Sequence, residues 1–299
     1  MLSVSQENKG PRKKVCNMKK MMCAIVAMAM MVTSAFALAD EINVISREDG
    51  SGTRGAFIEL FGIEQKNEAG EKIDYTTDEC DITNSTSVMM TSVAGNDCAI
   101  GYISLGSLND TVKALAIDGT EASVENIKAG TYNVARPFNI ATLAETNAAA
   151  QDFIAFIMSA EGQTVIEANG YIAVAENAAA FAGGQASGKI VVAGSSSVTP
   201  VMEKLTEAYK AINANVEIEL QQSDSSSGMT STRDGVCDIG MASRELKDSE
   251  LEAGLIPMTI AMDGIAVIVS NDNEVNGLTT EQVRDIYMGE ITDWSDVNE

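Results

Sequence analysis

The sequence predicts an α/β protein, and three observations lead to that prediction. Strand-like apolar runs alternate with segments of helical periodicity from Asp40 to the end of the chain, which is the pattern of mixed α/β folds. Residues 189–193 and 216–220 are two such runs, and between them Val201 and Leu205 belong to an apolar stripe at helical spacing. About 260 residues remain after a predicted leader, enough for one large domain or two lobes with their own cores.

Further helices are predicted along the chain. One carries Phe153, Phe156 and Ile157 and is expected to end near Gly170. Residues 279–282 have the sequence of a capping box and predict the start of another helix. We interpret the apolar stripes of these helices as core packing rather than as ligand sites.

Residues 1–39 have the pattern of a signal peptide. Lys19 and Lys20 precede an apolar run over residues 21–32, and an Ala-x-Ala cleavage site ends at Ala39. The apolar run is shorter than the roughly 20 residues that a membrane-spanning helix needs. Because Cys23 lies at the start of this run and no lipobox closes it, no lipid anchor is expected. We therefore predict export to the periplasm, the cell surface or the medium.

Composition excludes several classes of function. The chain has 43 acidic and 20 basic residues, with a formal net charge of −23, so nucleic acid and anionic membranes are poor partners. The absence of histidine removes the commonest general base and metal ligand, which weighs against a hydrolase. Cys80, Cys98 and Cys237 follow the leader without the spacing of a metal site or a disulfide framework. We expect no metal, no cofactor and no enzymatic activity.

Three segments combine small residues with hydroxyl side chains, namely residues 46–54, 193–200 and 223–228. Two of them follow a strand-like run and precede a helix-like pattern. At such a junction free backbone N–H groups and the positive end of the helix dipole meet, which is a common way to bind an anion. Three such loops in an acidic chain predict a small oxyanion held by local donors.

With their neighbours, these loops resemble the substrate-binding proteins of phosphate ABC transporters. The matching stretches are residues 46–54, 99–102, 153–170, 192–200, 238–246, 261–269 and 291–294. The resemblance covers residues 42–299 and implies a two-lobed, type II periplasmic-binding-protein-like fold with the ligand cleft between the lobes. It also implies a monomer that binds inorganic phosphate outside the cytoplasm and delivers it to the permease subunits of an ABC importer.

The order of the matching stretches differs from the order in that family. The segment at residues 194–197 comes first in the family, whereas here it follows the Arg-Glu-Asp-Gly-Ser-Gly-Thr segment at residues 47–53. One explanation is a circular permutation in which residues 177–188, rich in Ala and Gly, join the family's usual ends. The other is a piece cut from a tandem array. We prefer the permutation because each segment occurs once.

The permutation predicts the extent of each lobe. One lobe, lobe A, would be continuous over residues 140–264. The other, lobe B, would combine residues 40–139 with residues 265–299.

The resemblance places ligand-binding residues in both lobes. Arg47 would grip an oxyanion with parallel charge-assisted hydrogen bonds, and Asp49 would orient Arg47 or accept a proton from the ligand. Taken alone, Arg47 would be interpreted as a surface arginine and each serine as a turn or helix cap. The matched residues are Arg47, Asp49, Ser51, Gly52 and Thr53 from lobe B and Ser196, Ser197, Ser226 and Ser243 from lobe A.

Two positions of lobe A leave alternatives open. Ser225 is the alternative to Ser226 if the match is displaced by one residue. Ser243 and Arg244 stand where some members of the family carry an aspartate. Because a carboxylate separates protonated phosphate from sulfate, this departure leaves Asp49 as the candidate proton acceptor.

Two other functions stay open. The chain could be a secreted binder or sensor of oxyanions in general, such as sulfate or molybdate. Residues 50–55 are also a literal G-x-G-x-x-G, with Asp74 about 20 residues further on, which is typical of dinucleotide-binding enzymes. We rank the enzyme last because the predicted helix after this motif is short and the two serine-rich loops would be unexplained.

Overall fold

The computed structural model describes residues 41–175 and 177–297, so the predicted signal peptide lies outside the described residues. From Ile42 onward the chain forms one compact unit. None of the helices in this described part combines the length and the hydropathy of a membrane span.

Strands and helices alternate along the first half of the unit. In chain order the elements are β1 (Asn43–Arg47), α1 (Gly52–Leu60), β2 (Glu64–Lys66), β3 (Lys72–Asp74), β4 (Asp81–Thr83), α2 (Thr86–Ala94), β5 (Ala99–Ser104), β6 (Lys113–Ala114), β7 (Ala116–Ile117), α3 (Val124–Lys128) and β8 (Ala135–Thr142). A 3₁₀ turn, Leu105–Ser107, follows β5. The helices after β1 and β4 each begin on a serine N-cap, Ser51 and Ser85, as short hydroxyl side chains favour.

The second half continues the alternation. Its elements are α4 (Ala148–Ile157), α5 (Ala160–Ala168), β9 (Ile172–Ala173), β10 (Gly188–Ser195), α6 (Thr199–Ile212), β11 (Val216–Ser223), α7 (Ser225–Arg233), β12 (Ile239–Ala242), α8 (Asp248–Glu252), β13 (Ile256–Val269), β14 (Gly277–Leu278) and α9 (Thr280–Tyr287). The two strands and the intervening helix predicted around residues 189–220 are confirmed as β10, β11 and α6. The predicted capping box also forms, because Thr279 and Gln282 cap each other at the start of α9.

The helix expected to continue to Gly170 is instead two helices, so that prediction is wrong in this detail. α4 ends at Ile157, and Ser159 caps α5 by accepting a hydrogen bond of 3.2 Å from the Gly162 amide. The chain turns tightly here, since a Cβ on Gly162 would lie 2.2 Å from the Phe156 carbonyl oxygen. The apolar spacing continues across this turn and therefore conceals it.

One sheet of ten strands runs through the described residues. The order along its main path is β11, β10, β12, β8, β13, β5, β1 and β4, and the short strands β6 and β9 pair with β13. β10 pairs in parallel with β11 and β12, and β1 pairs in parallel with β4 and β5. The long antiparallel pair of β8 and β13 connects these two parallel groups.

Two large apolar cores include residues from different parts of that strand pair. One core takes its buried side chains from before residue 135 and after residue 264. The other takes them from residues 138–261. β8 and β13 pass from one core to the other at residues 135–137 and 262–264, a segment that we call the junction.

Candidate functional site

Four helices begin where the two parallel strand groups end. α1 and α2 follow β1 and β4 and begin at Gly52 and Thr86, whereas α6 and α7 follow β10 and β11 and begin at Thr199 and Ser225. The carboxyl ends of parallel neighbours lie at the same sheet edge. The first-turn amides of a helix have no acceptor within the helix, and they carry the positive end of its dipole. Such an arrangement favours an anion.

Arg47, the last residue of β1, lies at the centre of this region and is 1% exposed. Its Nε and Nη2 atoms donate to the two carboxylate oxygens of Glu48, at 2.8 Å each. Nη2 also donates to Ser196 Oγ at 3.1 Å. Nη1 is buried and has no hydrogen-bond partner in the structure. The Nε and Nη2 edge of the guanidinium is therefore bound to Glu48, and the N–H groups of Nη1 are available to donate hydrogen bonds.

The backbone of Arg47 is held by a buried tyrosine and by Arg54. The Arg47 amide donates to the Tyr102 hydroxyl at 3.2 Å, and the same hydroxyl lies 2.9 Å from Ser46 Oγ. Burial raises the pKa of Tyr102 to about 12, so its hydroxyl stays protonated at neutral pH. On the other side, the Arg47 carbonyl accepts a hydrogen bond from Arg54 Nη1 at 3.0 Å. These contacts fix the direction in which the Arg47 side chain leaves the strand.

Four hydroxyl side chains meet beside Arg47, and we call them the hydroxyl cluster: Thr53, Thr86, Ser196 and Ser197. Thr53 Oγ1 lies 2.7 Å from Ser197 Oγ. Thr86 Oγ1 lies 3.2 Å from Ser197 Oγ and 3.5 Å from Ser196 Oγ. All four residues are buried. The predicted residues Arg47, Thr53, Ser196 and Ser197 are thus brought together, although about 150 residues of chain separate the two halves.

A second set of serines adjoins Gly52. Ser195 Oγ donates to Ser243 Oγ at 3.0 Å, and the Ser243 amide donates to Ser225 Oγ at 3.2 Å. A Cβ on Gly52 would lie 2.4 Å from Ser225 Oγ and 2.8 Å from Ser243 Oγ. The predicted Gly52, Ser225 and Ser243 are therefore in close contact, and only glycine fits at position 52 in this arrangement.

Ser226 belongs to the edge of the site. Its amide donates to the Gly50 carbonyl at 3.2 Å, and its hydroxyl accepts from Arg244 Nη2 at 3.2 Å. Arg244 is itself clamped by Glu250 through two bonds of 2.9 and 2.8 Å. Burial alone would raise the pKa of Glu250, but its hydrogen bonds from Arg244 and the Lys247 amide hold that pKa below its usual range. Of the two alternatives in this loop, Ser225 is the fully buried one.

The predicted role of Asp49 in orienting Arg47 is wrong. The Asp49 side chain is 96% exposed and forms an ion pair with Arg54 at 2.6 Å. Glu48, the preceding residue, accepts both hydrogen bonds from the edge of the Arg47 guanidinium. The turn between β1 and α1 sends these adjacent carboxylates in different directions, and Glu48 is the one that faces inward.

Ser51 and Asp74 have other partners. Ser51 is the N-cap of α1 and accepts a hydrogen bond from the Arg54 amide, so its side chain is not brought into the hydroxyl cluster. Asp74 accepts hydrogen bonds from Arg54 Nε at 3.2 Å and Nη2 at 2.8 Å. The acidic residue that a dinucleotide site needs for the ribose is therefore already engaged by an arginine.

Sequence reasoning missed Glu48, Thr86 and Ser195, and it gave Arg244 no contact in the site. Thr86 lies in the hydroxyl-rich run Asn84 to Ser87, and that composition beside a strand end is a signal that could have identified it. Within the described residues there is no group of three or more Cys, Asp and Glu side chains placed to hold a metal ion.

Known proteins match this chain over most of its length. The family model of the PBP superfamily domain matches residues 28–161 and 179–299. Phosphate-binding protein PstS 2 of Streptococcus agalactiae serotype V is 58% identical over 258 residues, which is 86% of this chain and 88% of that protein. Phosphate-binding protein PstS 2 of Streptococcus pneumoniae serotype 4 is 45% identical over 256 residues, with coverage of 86% and 87%.

A solved structure gives the same result. The crystal structure of a phosphate ABC transporter, phosphate-binding protein from Streptococcus pneumoniae TIGR4 matches with a TM-score of 0.67 at 45% identity, and covers 86% of this chain and 100% of that one. The predicted two-lobed α/β fold class is confirmed by this match. The matches run along most of both chains, but they do not show a circular permutation. The permutation therefore stays a prediction. The chain belongs to the PBP superfamily and, within it, to the family of phosphate-binding proteins named PstS.

Proposed function

We propose that this protein binds inorganic phosphate outside the cytoplasm and delivers it to the permease subunits of an ABC importer. The observation that carries the proposal is the buried Nη1 of Arg47, which has no hydrogen-bond partner among the described residues. It belongs to the guanidinium whose Nη2 contacts Ser196 of the hydroxyl cluster. A buried donor without an acceptor costs about 1–3 kcal/mol. A tetrahedral oxyanion would supply the acceptor, and it would also accept from the hydroxyls and from the first-turn amides of α1 and α2.

The lobe bounds belong to the proposal as well. We assign Arg47, Thr53 and Thr86 to the lobe of residues 40–139 and 265–299, and Ser196 and Ser197 to the lobe of residues 140–264. The division between the two apolar cores supports this assignment. The ligand would then bridge the lobes, and its binding would favour the closed arrangement.

The remaining features of the proposal follow from composition. Export by a cleaved leader is consistent with a binding protein that serves an importer. The acidic surface disfavours nucleic acid, and we propose a monomer that binds its ligand without catalysis, metal or cofactor.

A general oxyanion binder is the second candidate. Ser243 replaces the aspartate of some family members, and the hydroxyl cluster and the three neighbouring serines contain no carboxylate. Glu48, which contacts Arg47, is the candidate acceptor for the proton of hydrogen phosphate, because Asp49 is exposed. If Glu48 does not accept a hydrogen bond from that proton, the site would bind sulfate as well as phosphate.

Isothermal titration of the purified protein with phosphate, sulfate, molybdate and NAD tests both candidates. We expect one phosphate per chain with a micromolar or lower Kd, which corresponds to about −8 kcal/mol or better, and much weaker sulfate. Equal affinity for phosphate and sulfate would favour the general binder. Heat with NAD and none with the oxyanions would overturn both.

A further inference from the structure

The junction between the two cores contains a buried ion pair. Arg136 of β8 and Asp263 of β13 stand at directly opposed positions of the antiparallel register. Arg136 is 2% exposed and Asp263 is 1% exposed. Their contact is a single hydrogen bond of 3.3 Å from Arg136 Nη2 to Asp263 Oδ2. The pair therefore lies inside the protein, at the point where the chain passes from one core to the other.

Polar side chains that precede and follow the junction in the chain surround this pair, and few of them form well-aligned hydrogen bonds. Among the described residues, the Nε and Nη1 atoms of Arg136 are buried without a hydrogen bond. The hydroxyls of Ser104, Ser107 and Tyr171 lie close to one another and, for Ser104, to Asp263, but not in good hydrogen-bond geometry. Asp263 Oδ1 accepts a long hydrogen bond of 3.3 Å from the Gly106 amide. The two sides pack tightly here, since a Cβ on Gly106 would lie 2.3 Å from the Tyr171 ring.

This arrangement is a poor source of stability. A buried ion pair repays the desolvation of its charges only with good geometry and with its remaining donors satisfied. Here two of the three guanidinium nitrogens, Nε and Nη1, have no acceptor among the described residues. Arg47 and Arg244, in contrast, each donate two hydrogen bonds to a glutamate. The pair contributes little to stability, yet it lies at the junction between the two cores. We therefore look for a role other than stabilisation.

The sheet connects this pair to both sides of the candidate site. On one side β13 pairs with β5, Ile265 opposite Ser104, and β5 pairs with β1, the strand that ends in Arg47. On the other side β8 pairs with β12, and β12 pairs with β10, the strand that precedes Ser196. The pairing of β8 with β13 is thus the step of the sheet that joins the two parallel groups, and it lies on the path between the strands that carry Arg47 and precede Ser196.

We propose that Arg136 and Asp263 are positioning residues for ligand binding, and that their cross-strand pair holds the closed arrangement in which Arg47 reaches the hydroxyl cluster. The inference rests on the proposed function, because the ligand whose affinity it controls is phosphate. Contact with the ligand is assigned to Arg47 and the hydroxyl cluster, and the pair is proposed to act at a distance. Its effect passes through the register of β8 and β13.

The test compares phosphate affinity with stability in variants of the full-length mature protein. The double variant Arg136→Met with Asp263→Leu removes the charges but keeps an apolar volume. We expect it to unfold at or above the wild-type temperature while its Kd for phosphate rises at least tenfold. Arg136→Lys keeps the charge without the planar fork, and we expect an increase of about fivefold; it replaces the double variant if that one does not fold.

Asp152→Asn is the matched control. Asp152 is also a carboxylate with a polar partner, Tyr209 at 2.6 Å. It is half-buried, and Tyr209 belongs to a single core, that of residues 138–261. We expect its Kd to stay within twofold of wild type, even if its unfolding temperature falls. The inference is overturned if the junction variants bind phosphate within twofold of wild type, or if affinity falls only in proportion to stability in all variants.

Backbone hydrogen exchange separates this inference from the proposed function. If the wild type binds no phosphate, the proposed function fails. The positioning role of Arg136 and Asp263 is then tested by the rates of hydrogen exchange at the Thr53 and Ser197 amides. Faster exchange in the junction variants than in Asp152→Asn supports the positioning role. Equal exchange contradicts it.

Discussion

The candidate site and the junction each bury one arginine almost completely, and the two arginines differ in how they are satisfied. At the site, Arg47 makes two short bonds to Glu48 and one to Ser196, and a single nitrogen is left without a partner beside a cluster of hydroxyls. At the junction, Arg136 makes one bond of 3.3 Å to Asp263, and two nitrogens are left without partners. Burial and a carboxylate partner therefore do not by themselves identify a ligand-binding arginine.

The surroundings distinguish the two. Arg47 lies at the end of a strand, where helix starts supply further donors for an anion. Arg136 lies within a strand, opposite its counterion, where the surrounding groups come from both cores. We infer that the first arginine meets the ligand and that the second sets the geometry in which the first can do so.

Removing Arg47 should have the largest effect of any single change. Truncation of one partner in a buried, charged contact costs about 2–5 kcal/mol, so we expect Arg47→Ala to weaken phosphate binding by roughly a thousandfold in calorimetry. Arg233→Ala is the control, because Arg233 is exposed and pairs only with Asp234. Arg54 is unsuitable as a control, since it holds the Arg47 carbonyl. Equal affinities for the Arg47 and Arg233 variants would remove Arg47 from the site.

Titration of Asp263 at the junction should make the free energy of unfolding depend on pH. Burial raises the pKa of Asp263 to about 6 from an ordinary 3.8, although Arg136 opposes this. The folded protein then keeps this proton to higher pH than the unfolded chain. The free energy of unfolding of wild type relative to Asp263→Asn should fall as the pH rises from about 4 to about 6, by up to about 3 kcal/mol. Urea unfolding of both proteins measures this difference, and a difference independent of pH would contradict the assignment.

Glycine at position 52 should matter more than glycine at position 55. Gly52→Ala would force Ser225 and Ser243 apart, and we expect phosphate affinity to fall about tenfold or more, which is about 1.4 kcal/mol or more. A Cβ on Gly55 would make only an ordinary contact of 3.8 Å with Arg244. Gly55→Ala lies within α1 and should leave affinity unchanged while it stabilises the helix by about 0.4–1 kcal/mol. Similar losses of affinity in both variants would show that the contact at Gly52 is not specific to the site.

The adjacent carboxylates Glu48 and Asp49 should differ in selectivity. Glu48→Gln should narrow the gap between phosphate and sulfate by several fold, because an amide can donate to a fully deprotonated oxyanion where a carboxylate repels it. Asp49→Asn should leave both affinities within about twofold, since an exposed pair contributes little. Titration of both variants with both anions gives the answer, and a larger effect at Asp49 would restore the role that the sequence suggested for it.

The residues of the site that lie in short strand-to-helix loops could be predicted from the sequence. Arg47, Thr53, Ser196 and Ser197 stand at junctions between strand and helix, where the hydroxyl and glycine composition is itself the cause of the anion-binding geometry. The alternation of strands and helices was predictable for the same reason. Each element is specified by a periodicity that spans only a few residues.

The parts that could not be predicted depend on how distant segments meet. Whether Glu48 or Asp49 faces inward is decided by the turn and its neighbours, not by residue type. The pairing of Arg136 with Asp263 depends on a strand register between residues 127 positions apart, and no spacing in the chain reports it. The turn at Ser159 was hidden because the apolar pattern continues through it.

The structure of the protein crystallised with inorganic phosphate tests the central claim most directly. We expect the anion within hydrogen-bond distance of Arg47 Nη1 and of hydroxyls from both sides, Thr53 and Ser197 among them, with Glu48 still on the other edge of the guanidinium. Phosphate bound elsewhere, with Arg47 Nη1 still lacking a partner, would contradict the account.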